Sequence, residues 1–258
     1  MTALQLIAGT ADGQPAGLSA AALLFATGRK LSLKTLDRLG VGSGTVFFPE
    51  LNRKSDAVFF KYAEGWKARA VPDKAFTAMK GTKPAFWNLA NVLAAGSPVI
   101  YITEGELDAC ALVEAGIPTS QVLSVPNGAV ERPAEADKEI RGYGYVLDAL
   151  KAGLHKSKKF VWCGDADAPG LSLRADMVKI LGAARFWFVE WPEGCKDAND
   201  VLKHEGAEFL LSLVTDGALQ WPIDGLFKLS ELPDPPEMTL WNPGFPEWEK
   251  KVFLAPRP

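Results

Sequence analysis

At 258 residues and 27.8 kDa the chain is long enough for one large or two small domains, and 48% hydrophobic, 23% charged and 10% aromatic residues exclude a disordered, collagenous or fibrous protein. Three scattered cysteines, Cys110, Cys163 and Cys195, make neither a CxxC pair nor an even set, which argues against a zinc ribbon or a disulfide framework and for a reducing, cytoplasmic setting. The net charge of -3 hides an asymmetry: residues 1–95 hold 12 Lys+Arg against 6 Asp+Glu, whereas residues 96–258 hold 16 against 25. A basic part for a polyanion and an acidic part for metal ions would suit that split, as would an ordinary solvated surface. The start lacks a basic signal-peptide region, and the longest apolar runs, such as 20–26, are too short to span a bilayer, so no membrane association is expected.

Residues 1–95 read as a small basic α+β subdomain. GLSAAALLFATGRK has helical spacing, and Leu33, Leu36 and Leu39 form a second helical stripe ending at a glycine. From Thr45 onward, TVFFPEL, AVFFKYAEG and WKARAVP are β-prone runs suited to a small antiparallel sheet. Lys61, Lys67, Arg69, Lys74 and Lys83 are interleaved there with aromatic residues.

From residue 96 to 218 the rhythm is strand then helix, the pattern of a parallel α/β domain. PVIYITE, VLSVPNGA, KKFVWCGDAD and RFWFVEWP read as four buried parallel strands. Helices are expected over GELDACALVEAG, about 134–153, the run opening at Pro169, and the amphipathic DANDVLKHEGAEFLLSLV. Residues 219–258 contain 8 of the 18 prolines and read as a connector, whose Trp221, Trp241, Phe245 and Trp248 suit packing on a neighbour.

In a parallel sheet, ligands bind beyond the carboxyl ends of the strands. Acids stand at three of those ends: Glu104, Glu106 and Asp108 after the first strand, Asp165 and Asp167 after the third, and Asp197 after the fourth. Asp165 and Asp167, two apart in extended chain, are expected to face one crevice. So many converging carboxylates repel one another unless hard divalent cations neutralise them, which points to Mg²⁺ or Mn²⁺ and to phosphoryl or nucleotidyl transfer. Asn127 and Gly128 offer a turn with exposed amides for a phosphate, and Lys196 a cation beside it. Separately, TEGE and KDAND could also be helix starts, and DADAPG overlaps a calcium loop but places Pro169 where a ligand is needed.

E-G-x-x-D after the first strand and D-x-D after the third resemble the signature of the TOPRIM domain, found in primases, topoisomerases, RecR proteins and some nucleases. The TEGE-x-DA form, the VPNGA turn and the KDAND segment are similar to the primase part of phage-type primase-helicases and the Twinkle-like family. The resemblance implies a Rossmann-like parallel sheet flanked by helices and DNA-dependent synthesis of RNA primers. By the same resemblance Glu104 would be general base or metal ligand, Asp165 and Asp167 would hold two Mg²⁺ or Mn²⁺ ions, and Glu106, Asp108 and Asp197 would complete the acidic set. Lys61, Lys67, Arg69, Lys74 and Lys83 would meet a single-stranded DNA template, with NTPs as substrates.

The family's four-cysteine zinc module and its G-x-x-x-x-G-K-[ST] helicase loop are both lacking here. The chain therefore reads as a piece of a longer primase-helicase from a bacterial or phage-infected cell. A catalytically silent single-strand DNA-binding module and a TOPRIM nuclease are the competing readings.

Overall fold

The computed structural model describes residues 18–127 and 142–223. Helix α1 (Ala20–Gly28) begins where the Ser19 hydroxyl accepts the Ala22 N–H, and α2 (Leu33–Arg38) repeats the device with Ser32 and Thr35. The Ser32 hydroxyl also donates to Glu114 at 2.8 Å, fixing α2 on a helix far along the chain. Of the expected leucine stripe, Leu36 is buried and Leu33 is exposed.

Strands β1 (Gly42–Phe48), β2 (Arg53–Tyr62), β3 (Gly65–Ala70) and β4 (Phe76–Ala78) pair in chain order as an antiparallel sheet. The run Ala57–Phe60 within β2 is apolar at every position because both of its faces are covered. Ala57 and Phe59 join Phe48, Trp66 and Ala68 in a small core, whereas Val58, Phe60 and Tyr62 turn toward the second half of the molecule.

That half contains α3 (Leu89–Ala95), β5 (Val99–Thr103), α4 (Glu106–Ala115), β6 (Val122–Ser124), α5 (Gly144–Ala152), β7 (Lys159–Trp162), α6 (Ala168–Leu181), β8 (Phe186–Phe188), α7 (Ala198–His204), α8 (Ala207–Thr215) and β9 (Leu219–Gln220). The sheet order is β6-β5-β7-β8-β9, parallel except for β9. Residues of α4, α7 and α8 and the N-terminal segments pack on one face, and those of α3, α5 and α6 on the other. This is the α/β class with a preceding small α+β region that the sequence implies.

Four local features differ from the sequence expectation. The helix expected from 134 is seen as Gly144–Ala152, with 134–141 outside the described residues. The helix expected over 197–214 is two, because Gly206 adopts φ 93 and breaks the run. Helix α3 was not anticipated, and Leu219–Gln220 add a fifth, antiparallel strand rather than opening a connector. Trp221 packs edge-on against Phe186 and Phe188, while Trp241, Phe245 and Trp248 lie outside the described residues.

The two sheets meet at Trp87, whose N–H donates to the Ser124 carbonyl at 2.9 Å and whose ring, 1% exposed, meets Phe60 edge-on at 5.7 Å. Trp87→Ala should cost about 3–5 kcal/mol, read as a lower urea midpoint by circular dichroism.

Candidate active site

The carboxyl ends of β5 and β7 and the N-terminus of α7 open onto one cleft of about 560 Å³, closed on its far side by residues of β3, β4 and the end of α1. On the sheet side, Asp108, Asp165 and Asp197 converge, one carboxylate oxygen of each lying within 4.8 Å of the others. The local chain is shaped for that approach. Asp108 stands in the first turn of α4, and a Cβ on Gly105 would lie 2.6 Å from its Oδ2. Asp165 follows Gly164, where a Cβ would overlap the Trp162 indole. Asp197 caps α7 by accepting the Asp200 N–H at 2.7 Å, and the Asn199 N–H donates to Asp108 Oδ1 at 3.2 Å. The Ala166 N–H donates to the Lys196 carbonyl at 3.0 Å, which lashes the loop of Asp165 to the segment of Asp197.

Burial, then the neighbouring Asp197 and Asp165, hold the Asp108 carboxyl well above the usual carboxylate range. Asp165 is pushed up to about 6 by burial and by Asp197 and Asp167, against the opposing pull of Lys196 and Lys74. A divalent cation among these oxygens would oppose the burial and the mutual repulsion and draw both carboxyl groups toward the ionised form, and an all-carboxylate donor set suits Mg²⁺ or Mn²⁺.

Glu104 sits at the tip of β5, 8% exposed, and its Oε1 accepts the Asp165 N–H at 3.0 Å. The opening of α6 presses on this pair, since a Cβ on Gly170 would overlap the Asp165 carbonyl and lie 2.6 Å from Glu104 Oε1.

Other residues singled out in the sequence are placed differently. Asp167 does not share the crevice with Asp165: the chain turns helical at Ala168, and the exposed Asp167 caps α6 by accepting the Gly170 N–H at 2.9 Å. Glu106 lines the cleft but is outside the close triad, accepting the Tyr62 hydroxyl at 2.7 Å and facing Lys67 Nζ at 2.9 Å. Asn127 and Lys196 line the cleft, and Gly128 lies outside the described residues. Lys67, Arg69 and Lys74 line the facing wall. Lys61 does not, because strand alternation turns it away from Phe60 and Tyr62, and Lys83 is drawn to Glu64 at 3.1 Å.

Arg29, Lys203 and Asn199 also line the cleft, with no local motif to announce Arg29 or Lys203. Arg29 donates to Asn199 Oδ1 at 2.8 Å, and Asn199 Nδ2 returns a bond to the Arg29 carbonyl at 2.9 Å. The Arg69 guanidinium lies 4.5 Å from the Phe25 ring centre, and burial and Arg29 lower its pKa to about 10.

Residues 101–202 match the family described as Toprim-like, and this span contains all three carboxylates of the triad. Over those residues the chain is similar to the Toprim-like family. In sequence it is 35% identical over 146 residues to the Twinkle homolog protein, chloroplastic/mitochondrial, of Arabidopsis thaliana, covering 52% of this chain and 20% of that protein. It is 31% identical over 199 residues to the Primase homolog protein of the same plant, covering 72% of this chain and 56% of the relative. The chain thus spans a fifth of one curated relative and little more than half of the other. The fold is that of the primase fragment of the bacteriophage T7 primase-helicase protein, with a TM-score of 0.53, 19% identity, and coverage of 80% of this chain and 83% of that one. Among the described residues, no helix is long and apolar enough to cross a membrane.

Two outcomes follow from the Toprim-like site. Gly170→Ala should weaken Mn²⁺ binding about tenfold or more, measured by electron paramagnetic resonance, because the added carbon displaces Asp165 and Glu104. A carboxyl whose folded pKa is raised resists ionisation in the fold, so its contribution to stability declines as pH rises from 3.8 through about 6. Without divalent ions, Asp165→Asn should therefore melt above the unmodified chain at pH 7, with the gap closing by pH 4. Saturating Mg²⁺ should raise the melting temperature of the unmodified chain and leave the variant nearly unmoved.

Proposed function

We propose that the chain is the primase core of a longer replication protein, synthesising RNA primers on a single-stranded DNA template by metal-dependent nucleotidyl transfer. The observation that carries this reading is the Asp108–Asp165–Asp197 triad facing a basic wall across one cleft of a Toprim-like domain. Residues 1–95 then form the basic N-terminal subdomain, 96–221 the catalytic domain, whose sheet takes in β9, and 222–258 a connector toward a fused helicase domain. The names of the relatives, a primase homolog, a Twinkle homolog and a primase-helicase fragment, support that assignment.

In this reading Asp108, Asp165 and Asp197 hold two divalent ions, Mg²⁺ or Mn²⁺. When bound, the ions supply Lewis-acid stabilisation of the attacking and leaving oxygens. The protein's own groups do the rest. Glu104, whose Oε1 accepts the Asp165 N–H, is assigned as the general base that accepts the 3′-hydroxyl proton. Lys67, Arg69 and Lys74, with Arg29 and Lys203, line the same cleft and offset the charge of a triphosphate and a template backbone. Asn127 and Lys196 lie on its rim and suit the phosphates of the incoming NTP. Asp167, turned out to cap α6, and Glu106, already engaged, are left out of the ion-binding set.

The test is primer synthesis from labelled NTPs on single-stranded templates of mixed sequence with Mg²⁺ or Mn²⁺. Short oligoribonucleotides are expected from the unmodified chain, with Asp165→Asn and Glu104→Gln reduced about 100-fold or more. Undiminished synthesis in both variants would overturn the site. No product alongside retained DNA binding would point to the silent binding module, and template cleavage to the nuclease.

A further inference from the structure

Glu106 belongs to the TEGE run that marks the end of β5, yet the fold gives it a different setting from the triad. It is 3% exposed, and both of its oxygens are taken. Oε1 accepts the Tyr62 hydroxyl at 2.7 Å and lies 2.9 Å from Lys67 Nζ, while Oε2 accepts from the same ammonium at 3.2 Å. Burial first, and then Glu106 itself, push the Tyr62 pKa far up, so its hydroxyl stays a donor. The three groups come from β2, β3 and the first turn of α4, so the cluster joins the antiparallel sheet to the helix that follows β5.

An ammonium has three N–H bonds. Glu106 takes one from Lys67, and the Pro126 carbonyl takes another at 3.1 Å. The third remains for the cleft that Lys67 lines, where the Phe76 ring centre lies 5.4 Å from Nζ. A cation on Glu106 would compete with its charge-assisted pair to a largely buried lysine and weaken the counter-charge of Lys67. Among the described residues the triad carboxylates carry no such ion pair: Asp108 and Asp197 accept backbone N–H groups and can turn their remaining lone pairs to an ion.

We propose that Glu106 is a positioning residue and not an ion ligand: with the Tyr62 hydroxyl it fixes the Lys67 ammonium in the cleft as a receptor for a phosphate oxygen. The inference rests on the reading of the cleft as a phosphate-handling site. Its consequence is a division of labour within one short run of sequence, in which Asp108 serves the ion and Glu106, two residues earlier, serves the anion.

The test uses the full chain and two probes, Mn²⁺ followed by electron paramagnetic resonance and inorganic tripolyphosphate followed by calorimetry without divalent ions. Glu106→Gln and Tyr62→Phe should hold Mn²⁺ within about threefold of the unmodified chain, while Asp165→Asn loses about tenfold or more. Both should weaken tripolyphosphate, Glu106→Gln by about tenfold and Tyr62→Phe by less, and Lys67→Met should weaken it at least as much as Glu106→Gln. Because Glu106 acts through Lys67, the Glu106→Gln/Lys67→Met double variant should bind as Lys67→Met does. Loss of Mn²⁺ in Glu106→Gln, additive losses in the double variant, or no effect on tripolyphosphate would each overturn the proposal. Should Glu106→Gln fail to fold, Tyr62→Phe, which keeps the ion pair, carries the same comparison. A chain that makes no primers but shows this split between the probes fails the primase reading and keeps the inference.

Discussion

Three carboxylates brought within 4.8 Å of one another in a partly buried cleft repel one another in the absence of a cation, and much of the surrounding backbone holds them there. Gly105, Gly164 and Gly170 remove side chains that would collide with Asp108, the Trp162 indole, and the Asp165 carbonyl with Glu104. Asp197 spends one oxygen on the start of α7, and the second residue of that helix, Asn199, spends its N–H on Asp108. Each acid is tied to the element that delivers the next, so the electrostatic conflict is built in and then left for a ligand to resolve. Perturbed ionisation of this origin is a mark of functional sites.

The opposite wall comes from another part of the chain, and the apolar junction between the sheets sets the distance between the two charges. Phe60 on β2 meets Trp87, which bridges to Ser124 on β6, and Tyr62 two residues further along β2 reaches Glu106. The same face of one strand therefore supplies both the dry contact and the polar one. Arg29 and Asn199 make a second tie, 170 residues apart in sequence, between the end of α1 and the start of α7. Rigid support of this kind lets the cleft present its acidic triad across from its bases while Glu106 and Lys67 pair within it.

Much of this was legible in the sequence. The four parallel strands are apolar runs with acids or glycines at their carboxyl ends, and that pattern located Glu104, Asp108, Asp165 and Asp197 at one edge. Asp167 misled because an extended chain was assumed one residue too far; the cap it supplies to α6 is equally written in D-A-P-G, as an acid three residues before a free N–H. The partners of Glu106 were not legible, because they are aromatic and basic residues of the antiparallel sheet, a pairing that no local spacing encodes. Gly206 within an amphipathic run was a visible break signal that the helical period overrode. Strand β9, two residues long, carries no period at all and exists only because β8 offers an edge.

That short strand decides a direction. Strands β5 to β8 all run toward the cleft, whereas β9 runs back, with Leu219 opposite Phe188 and the Trp221 N–H bonded to the Phe186 carbonyl. At Trp221 the backbone is therefore heading to the pole of the sheet remote from the acids. The reversal sets the cleft and Trp221 at opposite poles of the sheet. A tether attached there would exert its pull at the end of the sheet opposite the site.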